Sequence, residues 1–179
     1  MDYCEVLTFW FDEIERKAWF RKDPAFDRAL CVRFGDVHAA ACAAELFAWR
    51  SEPRGRLAEV IVLDQFSRNI YRDDLRAFAQ DPLALALAQE AIARGAHEAV
   101  TRDERVFSYM PYMHSESRVV HEAALDLFAE PGMEDNYRFE ERHKTIIDRF
   151  DRYPHRNALL GRESTEEEHA FLQEKGSSF

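Results

Sequence analysis

The stretch Leu63-Asp64-Gln65-Phe66-Ser67-Arg68-Asn69-Ile70-Tyr71-Arg72 sets charged and amide side chains on a segment that is otherwise apolar. At roughly 100° per residue, Asp64, Arg68 and Arg72 fall on one narrow helix face with Gln65 beside them, while Val60, Leu63, Phe66 and Ile70 spread around the rest. A helix that is apolar nearly all round is a buried helix. Its charged stripe must then be paired within the protein or line a cleft, because an unpaired buried ion costs more than a marginally stable fold can absorb. Asp64 and Arg68 stand four residues apart with the acid N-terminal, the orientation that favours pairing. The expectation is that Asp64 pairs with Arg68 or with an arginine from near the C-terminus.

Helical spacing accounts for the remainder of the chain, and no run of period-two alternation bounded by turn residues competes with it. Val6, Leu7, Trp10, Phe11 and Ile14 describe a first helix, with Trp19-Phe20 in a connection and the aromatic cluster assigned to the core. Pro24 to Trp49 reads as one interrupted helix or two, with Gly35 a plausible break. A third helix runs from about Gly55 to Ile70. Asp81 reads as an N-cap with Pro82 behind it and Gly95 as the stop. Thr101 with Glu104 forms a capping box for a helix that should end near Pro111. Val119 to Phe128 is stopped by Pro131-Gly132, and Phe139, His143, Ile146, Ile147 and Phe150 mark the next helix. Pro154 to Gly161 reads as a short helical turn, Thr165 with Glu168 caps a last helix that runs out before Gly176, and Ser177-Ser178-Phe179 should fray. Short connections between these elements predict an all-α array of antiparallel neighbours in a single domain over residues 1–179.

Composition narrows the function. Hydrophobic residues make up 46% and there are 14 Phe, enough for a packed, ring-rich core and too much for disorder. A formal charge of −10 argues against nucleic acid, whose binding draws most of its affinity from a basic face. No stretch approaches the about 18 apolar residues of a membrane span. Asp2 and Glu5 occupy the place of the basic region of a secretory signal, and Cys4, Cys31 and Cys42 form no paired motif. Buried, reduced thiols in the cytoplasm are the expectation.

A second polar cluster, Arg149 to Arg162, sets four arginines against Asp151, a local charge of +3, and residues 63–72 carry +1, which leaves −14 on the rest. Six arginines gathered in an acidic chain either neutralise buried acids or bind an anion, and the guanidinium fork suits both tasks. The residues expected to line an Arg/Asn cleft are Asp64, Gln65, Arg68, Asn69, Arg72, His114, Glu116, His155, Arg156, Asn157 and Arg162. The two Arg-Asn motifs are expected to converge there on a carboxylate, a phosphate or a peptide terminus. Two further readings stand beside this: a hydrolase-like enzyme acting on an anionic small molecule with His155 or an acid as general base, and a scaffold whose Arg-Asp-Asn network is internal. His143, on an apolar helix face, reads as a satisfied core histidine. His114, Glu116 and His121 lack metal-ligand spacing, and no Gly-rich phosphate loop or nucleophile motif occurs, so no metal and no cofactor are expected.

Phe9-Trp10-Phe11, Leu63-Asp64-Gln65-Phe66 with Arg68-Asn69 and Arg72, His114-Ser115-Glu116, and Pro154-His155-Arg156-Asn157 with Leu160-Gly161-Arg162 resemble, nearly end to end, the bacterial family catalogued as domain of unknown function nine-two-four. The resemblance implies a tetratricopeptide-like fold of stacked helical hairpins and no known reaction. The chain departs from that family's pattern at Ser67, where Pro is common, and at Asp151, where Gly is common. No clean 34-residue repeat is visible in the chain itself.

Overall fold

The computed structural model describes residues 1–177, and within them every regular element is helical. The chain divides into two compact units, Met1–Arg72 with Arg76–Pro111 and Asp73–Leu75 with Tyr112–Phe179.

In the first unit, α1 (Tyr3–Thr8) widens into a π-helical turn, Phe9–Glu13. α2 (Pro24–Cys42) opens on Asp23, whose carboxylate accepts from the Ala25 and Phe26 amides, with Pro24 preset at the first helical position. It runs unbroken through Gly35, contrary to the expected interruption. Gly35 keeps helical backbone and has open space around it, so it weakens the helix without ending it. α3 (Pro53–Ile61) passes into a second π turn, Val62–Phe66, and then into α4 (Ser67–Ile70). Gly55 lies directly against the Trp49 backbone carbonyl, where any Cβ would collide.

α5 (Asp81–Ala93) starts one residue earlier than expected, with Gln80 at the cap. The Asp81 carboxylate takes the Arg68 fork. Gly95 stops this stretch in the left-handed conformation, as its sequence position predicts. α6 (Arg102–Met113) has the Thr101–Glu104 capping box and ends two residues past Pro111, near the expected stop. Proline there lacks the N–H that would donate to the Phe107 carbonyl one turn earlier, and only Tyr112 and Met113 follow it in the helix.

The core of this unit packs Val6, Leu7, Phe9 and Trp10 against Leu30, Phe34, Leu63, Phe66 and Phe107. Its rings interlock, with Phe34 and Trp10 at 5.1 and 5.5 Å from Phe66. Every residue from Leu57 to Ser67 is buried, so the helix read as apolar all round is a core helix.

In the second unit, α7 (Arg118–Phe128) and α8 (Glu134–Phe150) form a helical hairpin across the Pro131-Gly132 turn. α8 ends on Asp151 in the left-handed conformation, φ 57°, which the pattern of the resembled family assigns to glycine. A tight turn, Pro154–Arg156, leads to α9 (Glu166–Phe171), opened by the Thr165–Glu168 capping box. Ile146, Ile147, Tyr153 and Phe171 form the apolar centre. Ser177, expected to fray, is buried with its hydroxyl donating to the Leu172 carbonyl; Ser178 and Phe179 lie outside the described residues.

The three cysteines are free, yet Cys4 and Cys31 are exposed and Cys42 is half-buried, which corrects the expectation of buried thiols. Cys31 lies on the solvent side of α2 beside the 88% exposed Val32. Among the described residues no helix is long and apolar enough to cross a membrane.

Candidate functional site

The predicted residues fall into two clusters, one in each unit. In the first unit the π turn presents Asp64 and Gln65 in the interior, and α4 presents Arg68 and Asn69. Asp64, 1% exposed, accepts from Arg68 Nη1 at 3.0 Å and from the Gln65 amide at 2.6 Å. Arg68 also forks onto Asp81 at 2.8 and 3.0 Å, so one guanidinium serves two carboxylates. Arg72 corrects the sequence reading: the helix ends at Ile70, which removes Arg72 from the Asp64–Arg68 stripe. It forks instead onto Asp27 of α2 at 2.6 and 2.8 Å, and Asn69 donates to the same carboxylate at 2.8 Å. Each guanidinium is already forked onto a carboxylate, which leaves its best donor geometry committed.

Below this network His38 is buried, with Nε2 2.8 Å from Ser67 Oγ. Ser67 donates its own proton to the Leu63 carbonyl at 2.6 Å, so it accepts from His38. Burial lowers the His38 pKa and favours the neutral ring. Ser67 therefore holds a buried histidine.

In the second unit Glu116 is the centre. Its carboxylate takes both prongs of Arg162, at 2.6 and 2.9 Å, and the Tyr153 amide at 2.8 Å. Burial works to raise its pKa, but Arg162, the Tyr153 amide and nearby Arg156 outweigh this and lower it. Asn157 accepts from Arg162 and donates to Ser164. Arg156, 6% exposed, lies over the Tyr153 ring at 4.5 Å, and the His155 ring centres 5.5 Å from the same tyrosine. His114 lies near enough to His143 to oppose its charging. His143 is the buried, bonded core histidine that its sequence position suggests: Nδ1 reaches the Phe139 carbonyl at 2.7 Å, and burial pushes its pKa down to about 3.

Several partners escaped the sequence reading. Asp27 and Asp81 neutralise the first motif, Glu140 pairs with His121, and Arg152 forks onto Glu168. Asp27 carried a readable signal, since it sits on the same α2 face as Leu30, Phe34 and Ala41. Glu168 was legible only as a capping residue. The Arg152 fork, ahead of the opposing burial, holds its carboxyl down at about 2.

Among the described residues no group of three or more His, Cys, Asp or Glu side chains is arranged to hold a metal. An open groove of about 580 Å³ lies at the α7–α8 turn, lined by Phe128, Pro131, Glu134, Tyr137, Arg138 and Glu141 among others, and includes none of the predicted residues.

Residues 6–176 match the model of a family described as a bacterial protein of unknown function, DUF924. The chain is also similar to the solved structure of a protein of unknown function, ATU0120, from Agrobacterium tumefaciens. Identity is 40% over 96% of each chain, with a TM-score of 0.91. Comparison with curated proteins finds no match.

Proposed function

The chain belongs to the DUF924 family of bacterial proteins, whose description carries no reaction, and we propose that it is an interaction scaffold in which the Arg, Asp and Asn motifs are internal ties. One observation carries this reading. The guanidiniums of Arg68, Arg72 and Arg162 each fork onto a carboxylate of their own unit. A bidentate arginine has its best donor geometry already committed, and an incoming anion would have to displace a covalently tethered competitor. Large apolar side chains standing in water, Phe20 and Phe47 in one unit and Val119 in the other, are consistent with contacts to another protein.

A second reading, a small-anion or peptide-terminus site, draws support from one place. Around Tyr153 two guanidiniums come together, Arg156 over the ring at 4.5 Å and Arg162 donating to the carbonyl at 3.3 Å. Local positive potential in a dry setting attracts anions even within an acidic chain.

Thermal shift separates the two. Phosphate, citrate and a short acidic peptide are titrated against the wild type and a folded Arg156→Ala variant. The scaffold reading expects no saturable shift, whereas a true ligand at 100 times its dissociation constant adds about 2.7 kcal/mol. A saturable shift that disappears in Arg156→Ala overturns the scaffold reading and establishes the anion site.

A further inference from the structure

His121 on α7 and Glu140 on α8 are both fully buried, and their Nδ1 and Oε1 atoms stand 2.5 Å apart. Neighbouring groups determine where the hydrogens lie. His121 Nε2 is 2.8 Å from the Ser115 carbonyl, which only accepts, so Nε2 carries a hydrogen. Tyr153 donates its own hydroxyl proton to the Met113 carbonyl at 2.6 Å, and its oxygen, 3.3 Å from His121 Nε2, can therefore only accept from the ring. One proton remains to be placed between Nδ1 and Oε1. It sits either on the imidazole, giving a buried ion pair, or on the carboxyl, giving a neutral pair.

The second carboxyl oxygen decides. Glu140 Oε2 is buried with no hydrogen-bond partner among the protein groups. A carboxylate with one oxygen bare in an apolar interior is far costlier than a carboxylic acid whose carbonyl is bare. Burial also raises the Glu140 pKa, outweighing the pull of His121 and of Lys144 on the same helix. Other groups do not offset this. The Lys144 ammonium is engaged by Glu122 and Asp148; His143 is held neutral one turn along α8; and His114 before α7 and Arg156 after α8 add only positive influence on the histidines.

We infer that Glu140 is held as a neutral carboxylic acid donating to His121 Nδ1, and that this one proton latches the His114–Glu116 segment onto α7 and α8. The chemistry balances simply. When a base removes the proton, the Nδ1 lone pair faces a carboxylate oxygen. The imidazole relieves the clash by moving its remaining hydrogen from Nε2 to Nδ1, which gives up the Ser115 carbonyl. The adjoining residue is Glu116, which holds the Tyr153 amide and the Arg162 fork. The latch is independent of what the chain binds, and so goes beyond the scaffold reading.

Nitrogen and carbon NMR of labelled protein tests the protonation state directly. At neutral pH, His121 should be the neutral Nε2–H tautomer, and the Glu140 carboxyl carbon should hold its protonated shift until alkaline pH. An imidazolium beside a carboxylate at neutral pH overturns the inference. Glu140→Gln supplies an amide that donates to Nδ1 and cannot titrate. Pair-free exchange of the Tyr153 amide, corrected for intrinsic pH dependence, should rise about tenfold at alkaline pH in the wild type and stay level in Glu140→Gln. Equal behaviour of the two proteins removes the latch, and if the variant does not fold, the wild-type spectra decide alone.

Discussion

Asp64 and Arg68 share a salt bridge but not its energetics. Asp64 is almost wholly enclosed, while the Arg68 side chain is 20% exposed and has Asp81 as a second partner. Arg68→Ala therefore takes the guanidinium from a carboxylate that stays buried, and should cost about 3–5 kcal/mol. Asp64→Ala leaves Arg68 on Asp81 and removes one acceptor of the Gln65 amide, which keeps the Met110 sulfur, a loss of about 1–3 kcal/mol. Denaturant titration of both variants checks the order. If Asp64→Ala is the more damaging, the stripe does not owe its stability to this pair. Arg72, beyond the helix end, forks onto Asp27 while Arg68 forks onto Asp81.

At the scale of elements, the end of α8 stores a small strain. Asp151 is in the left-handed conformation, which costs an L-residue energy that glycine escapes, and its contact with Arg118 is largely exposed. Asp151→Gly, which removes the side chain that the left-handed backbone disfavours, should stabilise by about 0.5–1 kcal/mol in thermal unfolding; a loss would mean that the Arg118 contact outweighs the backbone. The same comparison explains what was legible in the chain. Both capping boxes, Thr101–Glu104 and Thr165–Glu168, were readable because their partners stand three residues apart. So were the buried helix through Leu63 and the aromatic core, because helical spacing is local. The π turns were hidden, since one wider turn leaves no period of its own, and the Asp27 and Glu140 pairings were hidden because 45 and 19 residues separate them from Arg72 and His121. Composition announced that six arginines needed acids. It could not say which ones.

For the whole molecule, acid is the informative perturbation. His143 has a pKa near 3 in the fold against 6.5 in the unfolded chain, so the unfolded state binds more protons between those values. Its contribution is intact above pH 6.5 and is lost as pH falls toward 3. Glu168, held at about 2 against 4.5, adds a second loss that begins only below pH 4.5. His143 should therefore add a slope of up to about 1.4 kcal/mol per pH unit to the fall in stability before Glu168 contributes, and His143→Gln should make the part above pH 4.5 less steep. Both groups lie in the second unit, whereas Trp10, Trp19 and Trp49 all lie in the first. The backbone passes between the units after Arg72, after Leu75 and after Pro111, the last within the continuous helix α6. The single domain expected from the sequence calls for one cooperative transition. Tryptophan fluorescence should accordingly fall at the same pH as the far-UV circular dichroism, although no tryptophan is near either titrating group in sequence. Two separated midpoints, with fluorescence holding while helicity is lost, would show instead that each unit unfolds by itself.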